Sequence, residues 1–269
     1  MIGHLRESRL SSSSSASSGN ADPGPDPAPE VEKRRLALRP RDAATLVLID
    51  RTGANPRVLM GKRRAGLVFL PNKYVFPGGR VDLCDRRVEA ADDLDPVEVE
   101  KLLLDMKGRP TAARARALAM AAIRESFEEA GLVIGSKAPG TATAGLGAWT
   151  AFCARGFRPS MSKLAFFARA ITPPGRPRRY DTRFFTVDAR HIAEATDQID
   201  GELERLDWFT FDEVRRLDVP SITRAVVEDL ADRLDLGASQ QRLADVPFYY
   251  FKGGTFHRTR LKVPAAGPA

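Results

Sequence analysis

The sequence predicts a mixed α/β (α+β) sandwich, and three observations carry that expectation. Short β-branched runs recur between turn residues, one long alanine-rich segment is helical in character, and glycine or proline marks most junctions. At 269 residues the chain can hold one large domain or two small ones. Hydrophobic residues make up 43% and charged residues 29%, a balance suited to a globular core with a wet surface. No apolar run approaches the length that spans a bilayer, so a membrane is not an expected partner. Cys84 and Cys153 are the only cysteines, which excludes a disulfide framework and a cysteine zinc site. A reducing compartment, the cytoplasm, is the expected location. The net charge of +7 favours anionic partners without choosing among phosphates, nucleic acids and acidic membranes.

Residues 1–40 read as a disordered tail. The serine run Ser11 to Ser15 and the prolines Pro23, Pro25, Pro27 and Pro29 leave almost no bulky apolar side chain to offset ordering entropy. The folded domain is expected over 41–263, with 264–269 frayed. Ala43 to Asp50 is a β-branched run and reads as a buried strand, and Arg57 to Arg63 as a second after the Gly53-Ala-Asn-Pro56 turn. Asn72 to Phe76 leads into Pro77-Gly78-Gly79, where the glycines permit backbone angles that other residues resist. In the charged stretch that follows, Asp95 caps a helix with Pro96 first, running to about Met106. Thr111 caps the alanine-rich helix Ala112 to Ala130, and Gly131 stops it. Lys163 to Ile171, Thr182 to Val187 and Leu203 to Phe209 read as strands. Asp212 to Leu217 is a short helix, and Ser221 caps a longer one to Leu234.

The alanine-rich helix ends in Arg124-Glu125-Ser126-Phe127-Glu128-Glu129-Ala130-Gly131-Leu132. A helix sets Glu125, Glu128 and Glu129 side by side, where each exposed like-charge pair costs roughly 0.2–0.5 kcal/mol. Such a cluster is either a solvated acidic face or a cation site, and oxygen-only donors suit the hard ions Mg2+ and Mn2+.

The neighbouring residues favour the second reading. Gly79 followed downstream by Arg124-Glu125-x-x-Glu128-Glu129-x-Gly131-Leu132 resembles the signature of the Nudix hydrolase superfamily, Gly-x5-Glu-x7-Arg-Glu-U-x-Glu-Glu-x-Gly-U with U bulky and apolar. Two features depart from it. Ser126 stands at a U position, and Gly79 and Arg124 are much farther apart than in the signature, as if residues 83–110 were a helical insertion within the box. The place of the first box glutamate falls on Asp85 counted from Gly79 and on Arg116 counted from Arg124; Asp82 or Asp85 can substitute, or the ligand is absent. The stretches Val58 to Asp82 and Ile171 to Phe185 look like the branch with an interrupted box, which includes acyl-CoA and coenzyme A diphosphatases. A coenzyme A motif used elsewhere in the superfamily is met only in part, with Arg63 in place and Val68 and Asn72 where an arginine and a glycine stand.

The resemblance implies an α/β/α sandwich with a mixed central sheet and metal-dependent hydrolysis of a diphosphate bond in a nucleoside-diphosphate-linked substrate. Acyl-CoA or coenzyme A leads, and a nucleotide sugar or dinucleotide comes next. It implies Glu125, Glu128 and Glu129 as Mg2+ or Mn2+ ligands and catalytic residues, with Arg124 bracing a glutamate. Gly78, Gly79, Arg63 and Arg179 are the candidate substrate-binding residues. Glu202 and Glu204 are candidate bases, and His191 and His257 read as structural. Arg176, Arg178, Arg179 and Arg183 form either a phosphate grip or a solvated loop; Trp208, Phe184 and Phe185 read as core. The alternative is a catalytically inactive Nudix-fold nucleotide sensor or RNA-binding module. A small nucleotide diphosphate is the expected partner, nucleic acid is not, and a homodimer is left open.

Overall fold

Residues 38–138, 147–197 and 201–263 are described in the structure, a computed structural model. The expected frayed C-terminus and nearly all of the expected disordered tail lie outside them. The first sheet strands are β1 (Arg41–Asp50), β2 (Arg57–Arg63), β3 (Tyr74–Val75) and β4 (Gly78–Arg80). After the helices α1 (Pro96–Leu103) and α2 (Ala112–Ala130) come β5 (Leu132–Val133), β6 (Gly135–Lys137), α3 (Ala148–Ala154) and β7 (Phe157–Pro159). Then follow β8 (Ala165–Ile171), β9 (Tyr180–Asp188), β10 (Glu194–Ala195) and β11 (Leu203–Thr210). The chain continues through α4 (Phe211–Arg216), α5 (Ser221–Leu234), α6 (Ala238–Leu243), β12 (Val246–Lys252) and β13 (Thr255–Leu261).

The main sheet runs in the order β11-β2-β1-β9-β8-β12-β13, with β3 added beside β2 and β4 beside β1. It is mixed: β1 lies parallel to β9 and β12 parallel to β8, while the other pairs are antiparallel. Central β1 is apolar on both faces because both faces are covered. Leu46 and Leu48 pack with Leu118, Phe127, Trp149 and Phe166 in one core. Val47 and Ile49 pack with Phe167, Val226, Val227 and Leu230 in the other. The helix layers of α2 and α5 therefore sandwich the sheet. Phe185 and Phe184 go one to each core, as a two-residue strand period requires, and Trp208 packs against the first.

Thr111 caps α2 by accepting from the Arg114 backbone N–H at 3.2 Å, and Gly131 ends the helix in the left-handed region at φ 67°. Asp95 caps α1 as expected, accepting from the Val97 N–H, but the helix stops at Leu103, short of Met106. Asp105 turns the chain there at φ 49°. Ser221 does not cap α5: Pro220 occupies that place in extended conformation and Ser221 is already helical. The segment 83–110 is no surface appendage. It carries α1 and a 3-10 turn at Cys84–Arg86, and it sends Val88, Leu94, Leu102 and Met106 into the α2-side core. A buried Glu98–Lys101 ion pair ties α1 to β8, because Glu98 also accepts from the Phe166 N–H. Among the described residues, no helix is long and apolar enough to cross a membrane.

Candidate active site

Strand pairing brings the two halves of the divided motif together. β4 lies antiparallel to β1, with Gly78 opposite Thr45 and Gly79 opposite Ala44, and α2 crosses the same face. The Gly78 N–H donates to Glu129 Oε2 at 2.8 Å. A Cβ placed on Gly79 would sit 2.4 Å from Glu125 Oε1, so the absence of a side chain there lets helix and strand meet. A Cβ on Gly78 would strike the Ala44 carbonyl at 2.7 Å.

Arg124 organises the cluster. Its guanidinium donates to Asp85 Oδ1 at 2.9 Å and to Asp85 Oδ2 at 3.2 Å, to the Arg80 carbonyl at 2.8 Å, and to Glu128 Oε2 at 2.5 Å. It also pairs with Glu125 Oε1 at 2.8 Å. Burial works against its charge, but the Asp85 hydrogen bonds and the flanking carboxylates hold it above the ordinary arginine range. Burial pushes the Glu125 carboxyl up to about 7, with Arg124 opposing the rise and Glu128 adding to it. Ser126 is fully buried at its apolar-type position, and its hydroxyl is satisfied by the Ala122 carbonyl at 2.9 Å.

Asp85, left open among the sequence alternatives, has a definite place. It is fully buried and accepts from Arg124, from Trp149 Nε1 at 2.9 Å and from the Asp82 N–H at 2.7 Å. It therefore positions Arg124 and does not face open solvent. Arg116 points elsewhere, donating to the Val88 carbonyl. The signal in the sequence was the count forward from Gly79, which lands on Asp85.

The three glutamates at the end of α2 take different partners in this structure. Glu125 and Glu128 turn to Arg124, whereas Glu129 accepts from Gly78 and has Arg63 Nη1 at 4.0 Å. Mutually repelling carboxylates take the nearer cation or backbone donor. Among the described residues, no three acidic, histidine or cysteine side chains form a ready ion-binding group. The donor set still fits a hard divalent cation in chemistry, with carboxylate oxygens gathered at one helix end.

Arg63 is brought to the cluster: it also donates to Glu202 Oε2 at 3.1 Å and to the Phe69 carbonyl at 3.1 Å. Glu204 instead faces Lys62 at 3.7 Å. Arg179 donates to the Thr172 and Leu38 carbonyls, so its hydrogen bonds hold the start of β1 and none reaches the glutamates. Arg183 is neither phosphate grip nor solvated loop. It is 1% exposed and paired with Asp181 at 2.9 Å and Asp42 at 3.3 Å. His257 stacks on Tyr250, and His191 lies in a 3-10 turn after β9. A cavity of about 390 Å³ opens beside the cluster, lined by Asp82, Leu83, Cys84, Arg87, Arg124 and Glu128 among others. Burial and the Asp85 and Asp82 carboxylates push the Cys84 thiol up to about 11, so it is no nucleophile at neutral pH.

No family model matches the sequence and no curated protein matches it. Solved structures do. The chain is similar to a NUDIX hydrolase from Alicyclobacillus acidocaldarius at 28% identity and a TM-score of 0.51, over 71% of this chain and 90% of that one. Two weaker likenesses carry no argument of their own. One is the NUDIX domain of Shewanella oneidensis NrtR complexed with ADP ribose, at 12% identity, TM-score 0.43, and 73% and 90% coverage. The other is a C. elegans Ap4A hydrolase, at 12% identity, TM-score 0.39, and 72% and 97% coverage. The first likeness supports both the fold and the hydrolase class.

Proposed function

We infer that this chain, a Nudix hydrolase by its fold, hydrolyses a diphosphate bond in a nucleoside-diphosphate-linked substrate, with acyl-CoA or coenzyme A as the leading class. The observation that carries the reading is the meeting of Gly79 with Glu125 although Arg124 lies 45 positions beyond Gly79. Glu125, Glu128 and Glu129 are the proposed holders of Mg2+ or Mn2+. When bound, the ion would offset diphosphate charge and acidify water. The reaction adds water across one P–O–P bridge: the water oxygen bonds to one phosphorus, and the bridging oxygen leaves with the other phosphate. The released proton goes to a carboxylate outside the ion-holding set, for which Glu202, sharing Arg63 with Glu129, is the candidate.

Arg124 positions Glu125 and Glu128, and Asp85 positions Arg124. Arg87 and the exposed Leu83 come from the segment 83–110 and line the same cavity. One cation and one apolar side chain suit a substrate with a phosphate next to a less polar arm. The non-catalytic alternative is not favoured by the comparisons. The test is to incubate the purified chain with Mg2+ or Mn2+ and a panel of CoA esters, ADP-ribose, NADH and diadenosine polyphosphates. Phosphorylated products that fall on the order of a hundredfold in Glu128→Gln support the reading. Tight binding without turnover across the panel overturns it.

A further inference from the structure

A second cavity, of about 420 Å³, lies beside the start of α2 and is lined by Asp42, Arg86, Arg109, Thr111, Ala113 and Arg114. Three of those side chains are cations and one is an anion. Asp42 is already committed, bridged by Arg114 Nε at 2.5 Å and by buried Arg183 at 3.3 Å. Among the described residues, Arg86 and Arg109, both exposed, have no side-chain hydrogen bond or ion pair, whereas Arg114 and Arg116 on α2 do. Two exposed guanidiniums therefore line one cavity whose only carboxylate is already paired with Arg114 and Arg183. Arg86 and Arg109 both belong to the segment 83–110. The 3-10 turn at Cys84–Arg86 contributes to both cavities, Cys84 lining the one at the candidate active site and Arg86 the second.

We propose that this second cavity is a binding site for a phosphomonoester-type anion, held by Arg86 and Arg109. Planar guanidiniums bind phosphate oxygens through paired N–H donors, and two such forks match a dianion better than a carboxylate. The backbone N–H groups at the start of α2 add positive potential on the same side. The anion has two possible sources: a second phosphate on the substrate, which rests on the hydrolase reading above, or a separate phosphorylated molecule.

The experiment reads binding apart from turnover. Inorganic phosphate is titrated into the full chain at low ionic strength and followed by its thermal midpoint, for the parent, Arg86→Ala, Arg109→Ala, the double variant and Arg216→Ala as a distant control. A saturable rise that weakens roughly tenfold or more in the double variant, but not in Arg216→Ala, supports the site. An equal response in the parent and the double variant overturns it, whatever the outcome of the hydrolysis panel. The source is then read from substrate twins differing by one phosphomonoester, coenzyme A against its dephospho form and NADPH against NADH. A KM raised only for the phosphorylated twin in the double variant assigns the site to the substrate. Unchanged KM for both twins, with phosphate binding lost, assigns it to a separate ligand.

Discussion

Single residues decide whether the candidate centre forms. Asp85 is fully buried and holds Arg124, so Asp85→Ala leaves a buried guanidinium without its main partner. The expected loss is about 3–5 kcal/mol in urea unfolding, together with collapse of any hydrolytic activity. Gly78 and Gly79 separate stability from chemistry. At Gly79 the new Cβ meets the carboxylate end of Glu125, which can swing aside. Gly79→Ala should therefore cost less in unfolding than Gly78→Ala while lowering kcat. At Gly78 the obstacle is the backbone of Ala44 and Thr45, so Gly78→Ala should cost about 1–3 kcal/mol in the same assay. Equal behaviour of the two variants would contradict this account of the glycines.

Elements hold those residues in phase. The position of the glutamates on α2 depends on where the helix starts and stops, and its two ends are fixed by Thr111 and Gly131. Thr111→Ala should cost about 1 kcal/mol by chemical denaturation. Ser221→Ala should stay within about 0.5 kcal/mol, because Ser221 makes no capping bond to α5. The turn from β1 to β2 carries a pH dependence. The Thr52 hydroxyl and N–H and then Arg57 lower the Asp50 pKa to about 2 from an ordinary 3.8. A depressed carboxyl stabilises the fold above its unfolded value and loses that stabilisation as pH falls through its folded value. The parent's advantage over Asp50→Asn in unfolding midpoint should thus be full above about pH 4 and shrink toward about pH 2. A constant difference across that window would refute it.

The whole molecule joins what the chain separates. Strand β1, helix α2 and the glycine turn were readable because each has a strong local signal: a β-branched run, an alanine-rich cap-to-glycine segment, and Gly78-Gly79. The local signals pointed to a mixed α/β sandwich, and the α/β/α layering came from the resemblance of the glutamate motif to the Nudix signature. Other features were not readable. β12 and β13 escaped the sequence reading although Gly253-Gly254 between two aromatic or β-branched runs is a hairpin signal; Pro247 blurred the first run. Arg183 looked like part of a basic loop because its partners, Asp42 and Asp181, are supplied by a neighbouring strand and by its own. The role of Asp85 needed the third dimension, since Arg124 and Trp149 reach it from 39 and 64 positions away.

All of this rests on the interrupted motif closing around one centre in space. Bound Mn2+ reports that directly, because its unpaired electrons broaden the amide NMR signals of nearby residues. At one equivalent of Mn2+, the account expects the signals of Gly78 to Arg80 and of Glu125 to Glu129 to broaden together, and both effects to vanish in Glu128→Gln. Broadening confined to α2, with the glycine strand untouched, would contradict it.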